Sequence, residues 1–141
     1  MAKHLKLQYT ESQKAFLVGI VSSVNHLKLS WALNQALGLQ LAVKDKIILP
    51  HSKTGQNAEY SLFQYENEDS LLKYSLISNK ASGIHFFEEL KNIDYFLVIK
   101  TEPDIPVKDS ILQTLKSIPE IATFLIIHPE TIKRKERLEL L

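Results

Sequence analysis

The chain has no cysteine, one methionine, one tryptophan and four glycines, none adjacent to another, among 141 residues. Without cysteine there can be no disulfide, thiolate metal ligand or thiol nucleophile, a composition at home in a reducing compartment. The isolated glycines leave no Walker A loop and no G-x-G-x-x-G turn, and no serine sits in a G-x-S-x-G elbow. Charge of neither sign dominates. Seventeen Lys plus Arg stand against sixteen Asp plus Glu, for a net charge of +1, so no bulk surface for a polyanion is expected and nucleic acid is not an expected partner. No apolar run approaches the roughly 18 residues of a membrane span. Met1–Lys6 lacks the apolar core of a signal peptide. The expected location is the cytoplasm, with no membrane partner.

What is present suits one globular domain over residues 1–141. Hydrophobic residues make up 45% and charged residues 23%. A chain of this length buries roughly 68% of its unfolded surface without staples. Leu5, Leu7 and Tyr9 alternate with polar residues as in a half-buried strand. Ala15–Val21 is nearly continuous in apolar residues and reads as a central strand, in which Gly19 permits a close approach. Ser22, Ser23 and Asn25 are candidate N-caps for a helix with Leu29, Ala32, Leu33, Ala36 and Leu37 on one face. Gly38 sits at the left-handed position that closes it.

Residues 39–58 carry little regular pattern, so a functional or mobile loop is expected there, with an edge strand at Lys46–Pro50. Strands follow around Tyr60–Tyr65 and Leu71–Ile77, joined by a polar turn. A helical turn falls within 84–91, ahead of a strand at Asp94–Lys100. Val107, Ile111, Leu112 and Leu115 then repeat at helical spacing. Ala122–Ile127 is a last strand, and Pro129 opens a short C-terminal helix over 129–141. The order implies an α+β fold: a mixed, mainly antiparallel sheet with two main helices on one face, ferredoxin-like or ACT-like with extra strands.

Residues 87–95 read Phe-Glu-Glu-Leu-Lys-Asn-Ile-Asp-Tyr. This window resembles the defining motif of the IPExxxVDY family, small bacterial proteins of unknown function. Glu89, Asp94 and Tyr95 match, Ile93 stands for Val, and Phe87-Glu88 replaces Ile-Pro. The likeness extends through Ile20–Ser23, Trp31–Gly38 and Tyr74–Lys80, and so across nearly the whole chain. The resemblance implies a cytoplasmic protein of the Bacteroidota with no assigned reaction. The departure at 87–88 reads as the exchange of one helix-start residue for another.

Glu89 and Asp94 could form an acid/base pair if their environments held their pKa values apart. The favoured reading is structural: Glu89 suits the start of a helical turn, and Asp94 can fix a backbone N–H at the strand start. His85-Phe86-Phe87-Glu88-Glu89 echoes a zinc pattern without its second histidine, so no metal is expected, and no cofactor either. Trp31 flanks the helix stripe and is expected in the core, its other role being an anchor for a partner. Tyr60, Phe63, Tyr65, Tyr74 and Tyr95 read as cross-strand packing. Lys133, Arg134, Lys135 and Arg137 form the one concentrated basic run, which reads as a solvated segment and could otherwise meet nucleic acid or an acidic partner.

No catalytic constellation emerges. The sequence therefore points to a non-enzymatic binding or protein-interaction domain, homodimeric through uncovered strand edges. A small-ligand regulatory domain of ACT-like type, with its ligand beside 39–58, is the alternative; an enzyme using Glu89 and Asp94 ranks below both.

Overall fold

A computed structural model describes residues 14–50, 55–69, 72–81, 83–101 and 108–141. The expected strand around Leu5–Tyr9 and the segments His51–Thr54 and 102–107 lie outside the described residues. The elements are β1 (Lys14–Val21), α1 (His26–Leu37), β2 (Ala42–Pro50), β3 (Asn57–Asn67), β4 (Leu72–Ser78), the short β5 (Lys80–Ala81) and β6 (Ile84–His85), β7 (Tyr95–Thr101), α2 (Lys108–Leu115) and β8 (Thr123–Ile127). Three 3₁₀ turns complete them, at Glu88–Leu90, Pro129–Thr131 and Lys135–Leu140.

The fold is α+β. Among the described residues its main sheet has six strands in the order β2-β3-β4-β7-β1-β8. Each of these neighbouring pairs is antiparallel, so the described sheet is antiparallel where a mixed one is expected. Both crossovers through helices pass over intervening strands, which keeps parallel strands from becoming neighbours. β5 and β6 form a separate two-stranded ribbon.

Alternation along the strands divides the core in two. On one face Val18, Ile20, Phe63, Leu76, Leu97 and Ile99 pack under α1 and α2, which contribute Leu29, Ala32, Leu33, Ile111 and Leu115. On the other, Leu17, Tyr60, Ile77, Phe96 and Val98 meet Phe86, Phe87, Ile93 and the C-terminal residues Ile132, Leu138 and Leu141. Phe86, Phe87 and Phe96 meet edge to face, with centroids 4.9 and 5.0 Å apart, the arrangement that aromatic quadrupoles favour. Each fully buried Leu or Phe contributes roughly 2–3 kcal/mol.

Asn25 caps α1, its Oδ1 accepting the Lys28 N–H at 2.8 Å, and Gly38 at φ 67° closes the helix. Trp31, expected in the core, is 59% exposed. At 3.6 residues per turn it lies about 200° around the helix from Leu29, on the far side of the buried stripe. Ala36, also assigned to that stripe, is exposed, and the buried helix residues are Leu29, Ser30, Ala32 and Leu33.

The described part of the stretch 39–58 is mostly strand. β2 fills it from Ala42 to Pro50 as an edge strand, and β3 begins at Asn57. A register shift between Lys44 and Ile47 marks a bulge; it breaks the alternation that makes a strand legible. The expected helix over 129–141 is two short 3₁₀ turns separated at 132–134. They are held down by Ile132, Leu138 and Leu141, all buried. Gly19 packs against the ends of Ile127 and Ile93: a Cβ there would stand 2.8 and 3.1 Å from their Cδ1 atoms.

Candidate functional site

The window at 87–95 forms the connection from β6 to β7, and it is built around Asn79. That side chain is fully buried. Its Nδ2 donates to the carbonyls of Leu90 and Ile93 at 2.9 and 2.8 Å, and its Oδ1 accepts the Phe87 N–H at 3.0 Å. The Asn79 carbonyl accepts the Phe86 N–H at 2.7 Å, and its N–H donates to the Asp94 carbonyl at 2.9 Å. One amide thus satisfies the turn's inward backbone groups, which would each cost free energy if buried unpaired.

Asp94 and Tyr95 extend this clasp to the other side of the sheet. The Asp94 N–H donates to the Ile20 carbonyl at 3.0 Å, while its Oδ2 accepts the Ser22 N–H at 2.9 Å. Lys80 Nζ stands 3.7 Å from Asp94 Oδ1. The Tyr95 hydroxyl donates to the Val24 carbonyl at 2.7 Å. Burial, with the Asp94 charge beside it, raises the Tyr95 pKa. Ser22 Oγ in turn donates to the Glu120 carbonyl at 2.6 Å. Ile93 is buried against Gly19. Asp94 and Tyr95 therefore fix the segment between β1 and α1, and Ile93 packs on β1 itself.

Glu89 is exposed and points elsewhere. It lies in the first turn of its 3₁₀ segment, as expected, and its Oε2 accepts the Lys133 N–H at 3.3 Å. Glu88 is the first residue of that turn. Its carboxylate accepts the His85 N–H at 3.4 Å and stands 4.0 Å from His85 Nδ1.

Several concavities open on the described surface, among them a shallow one of about 510 Å³ over Glu88, Glu89, Asn92 and Lys133. A polar one of about 490 Å³ opens at the start of α1, lined by Ser23, His26, Glu59, Ser78, Lys80 and Asp94. Another, of about 550 Å³, lies on the opposite sheet face, with Leu49, Tyr60 and Ile84 beneath His85, Glu89 and Lys133. A further one is an apolar groove of about 610 Å³ between α1 and the β2–β3 edge, where Leu27, Trp31 and Val43 stand over Leu41 and Phe63. Asp94 and Glu89 line different cavities, each with a different histidine, so the two acids are not brought together. Among the described residues no group of three or more His, Asp or Glu could hold a metal ion.

The basic run is divided. Arg137 is half-buried, donates from Nη1 to the Phe86 carbonyl and lies 5.8 Å from that ring's centroid. Arg134 stands 3.8 Å from Glu136. Lys133 and Lys135 are exposed. The run anchors the C-terminal segment at one residue and is solvated at the others.

Sequence reading did not single out Leu27 or Val43, 65% and 73% exposed. A signal existed in Leu27 and Trp31, four residues apart, which make a second apolar line on α1. Nothing comparable marks Val43, which follows from the position of β2 at the sheet edge.

No protein-family model matches the chain, and no curated protein matches it either. Among the described residues no helix is long and apolar enough to cross a membrane.

Proposed function

We propose that this chain is a non-enzymatic protein-interaction domain that works as a homodimer and presents the α1–β2 flank to a partner. The observation that carries the reading is Trp31. A side chain of that size, 59% exposed beside Leu27 and Val43, is costly to leave in water and is typical of a binding anchor. Contiguous apolar surface of this kind marks interaction sites on soluble domains. The polar residues of the 87–95 window support the same reading, since Asp94 and Tyr95 are engaged with backbone groups and serve the frame.

On this reading the chain is a cytoplasmic protein that belongs with the IPExxxVDY proteins, whose motif serves as a clasp around Asn79. The strand order β8-β1-β7-β4, with α1 following β1 and α2 following β7, supports a ferredoxin-like core to which the β2–β3 hairpin is added.

Sedimentation of the purified chain at tens of micromolar tests the homodimer; a strict monomer removes it. Capture of host proteins by the wild type, lost with Trp31→Ser while the fold persists, is the expected result for the flank. Equal capture by both removes it.

A second reading rests on the cavity under His85 and Glu89, which is bounded by Leu49 and Pro50 of the 39–58 stretch. Its volume suits a small ligand. The comparison with ACT-like regulatory domains is fold analogy alone. A melting-temperature rise with one member of a metabolite library supports it; no rise across the library counts against it.

A further inference from the structure

The two edges of the sheet are built differently. β2, at one edge, carries Lys44, Asp45 and Lys46, a bulge at the same place and Pro50 at its end. Charges, bulges and proline are the devices by which edge strands avoid pairing with other chains. Centring a two-fold on Asp45 would set Lys44 against the second copy's Lys46 and Asp45 against itself.

β8, at the other edge, has none of these. Its five residues, Thr-Phe-Leu-Ile-Ile, are uncharged and contain no proline. Its register with β1 runs unbroken from Leu17–Ile127 to Val21–Thr123. Leu125 at its centre is 44% exposed, and Phe124 and Ile126 are half-buried. Among the described residues its strand partner is β1 alone.

The backbone phase is also set. The Val21 carbonyl accepts the Ala122 N–H at 2.9 Å, so the odd-numbered residues of β1 turn their peptide groups toward β8. Leu125, opposite Gly19, turns its own toward β1. By the alternation of an antiparallel ladder, Phe124 and Ile126 direct their N–H and C=O groups outward.

We infer that two copies join through β8, antiparallel, about a two-fold axis normal to the sheet at Leu125, to give one continuous sheet of two six-stranded halves. This deepens the homodimer reading and rests on it. In that register Phe124 exchanges hydrogen bonds with the second copy's Ile126, and Leu125 faces its own copy as a non-hydrogen-bonded pair. The axis keeps the helices of both copies on one face. No like charges meet along the strand. The Trp31 flank, on α1 over the opposite edge, remains open to a partner.

Because the chain has no cysteine, a single introduced thiol reports this contact without background. Directly opposed residues of a non-hydrogen-bonded pair have Cα atoms about 4.5 Å apart, within disulfide reach. Leu125→Cys is expected to cross-link into a covalent dimer on mild oxidation, while Val43→Cys, on the guarded edge, is expected not to. Leu125→Lys sets two ammonium groups face to face and is expected to weaken the dimer roughly tenfold or more in dissociation constant, with an unchanged circular dichroism spectrum.

A sedimenting dimer that neither cross-links at Leu125→Cys nor responds to Leu125→Lys overturns this interface and leaves the homodimer standing. A strict wild-type monomer overturns both.

Discussion

The side-chain carbonyl of Asn79 accepts the N–H of Phe87 at 3.0 Å, with both residues fully buried. The same amide donates twice, to Leu90 and Ile93, so its hydrogen-bonding capacity is taken up by one turn. A polar group at the centre of an aromatic cluster is stabilising only when satisfied in this way. The turn then delivers Ile93, Asp94 and Tyr95 to their places on β1 and at the start of α1.

Asn79→Ala leaves the Phe87 N–H and the Ile93 carbonyl without their partner, while the Leu90 carbonyl keeps the Ile93 N–H. Each buried unsatisfied group costs about 1–3 kcal/mol, so a loss of at least roughly 2 kcal/mol is expected from urea denaturation. Asn79→Asp retains an acceptor for Phe87 but turns an oxygen toward the carbonyls of Leu90 and Ile93. It is expected to be no better than Asn79→Ala. A loss under about 1 kcal/mol for either variant would show that the turn is held by its apolar contacts instead.

Gly19 gives a second test. An added Cβ would stand 2.8 Å from Ile127 Cδ1 and 3.1 Å from Ile93 Cδ1. Both are ends of isoleucine side chains, so the neighbours can yield, and a cost of about 1–3 kcal/mol is expected for Gly19→Ala. Ile127→Val removes the nearer atom. The double variant is expected to be less destabilised than the sum of the two single ones. Strict additivity would mean that the strain lies in the backbone.

The sequence makes the strands and helices of this core legible wherever one face is buried. The periods of Leu29–Leu33 and Ile111–Leu115 each reflect a single solvent boundary, and the unbroken apolar runs at Phe16–Val21 and Tyr95–Ile99 reflect strands covered on both faces. β2 was legible only as Lys46–Pro50, because its bulge and its exposed Val43 and Lys44 erase the alternation on which the reading depends. The C-terminal turns were overread as a helix, since three leucines and a basic run fit a helical stripe as well as a 3₁₀ clamp. The hydrogen-bond partners of Asp94 were legible only in kind. A carboxylate at a strand start announces that it will hold a backbone N–H, but not that the N–H belongs to Ser22, 72 positions away. The exposure of Trp31 follows from its angle around α1, a fact present in the sequence but outweighed by the general preference of tryptophan for burial.

Asp94 itself separates two contributions. Asp94→Asn keeps an acceptor for the Ser22 N–H and loses the charge facing Lys80, which is 55% exposed. Exposed ion pairs contribute little, so a change within about 1 kcal/mol is expected. Asp94→Ala leaves the buried Ser22 N–H unpaired, with an expected cost of about 1–3 kcal/mol. Equal losses from the two variants would mean that the ion pair with Lys80 stabilises more than the hydrogen bond to Ser22. Chemical denaturation at one pH and two salt concentrations distinguishes these results, since the ion pair alone is screened.

Stability should also change in alkaline solution, and with a sign that depends on the residue. Burial raises the pKa values of Tyr60, Tyr74 and Tyr95 above their usual 10.0. Below pH 10 the folded and unfolded chains both hold these protons, and the tyrosines leave stability unchanged. As the pH rises past 10 the unfolded chain releases protons that the folded chain keeps, so stability falls until the folded tyrosines also ionise. Lys100 acts in the opposite direction. Burial, with Lys73 beside it, lowers its pKa below 10.5, while Nζ donates to the Leu141 carbonyl at 3.1 Å. As the pH climbs from its folded pKa toward 10.5 the folded chain loses this proton first, and stability rises. Three tyrosines against one lysine give a net fall above pH 10. Urea midpoints measured from pH 8 to pH 11 are expected to decline at the upper end for the wild type. Tyr95→Phe is expected to decline less steeply, and Lys100→Met more steeply. A wild-type midpoint that stays level through pH 11 would place these hydroxyls in contact with solvent, contrary to their packing under α1 and beside Phe86.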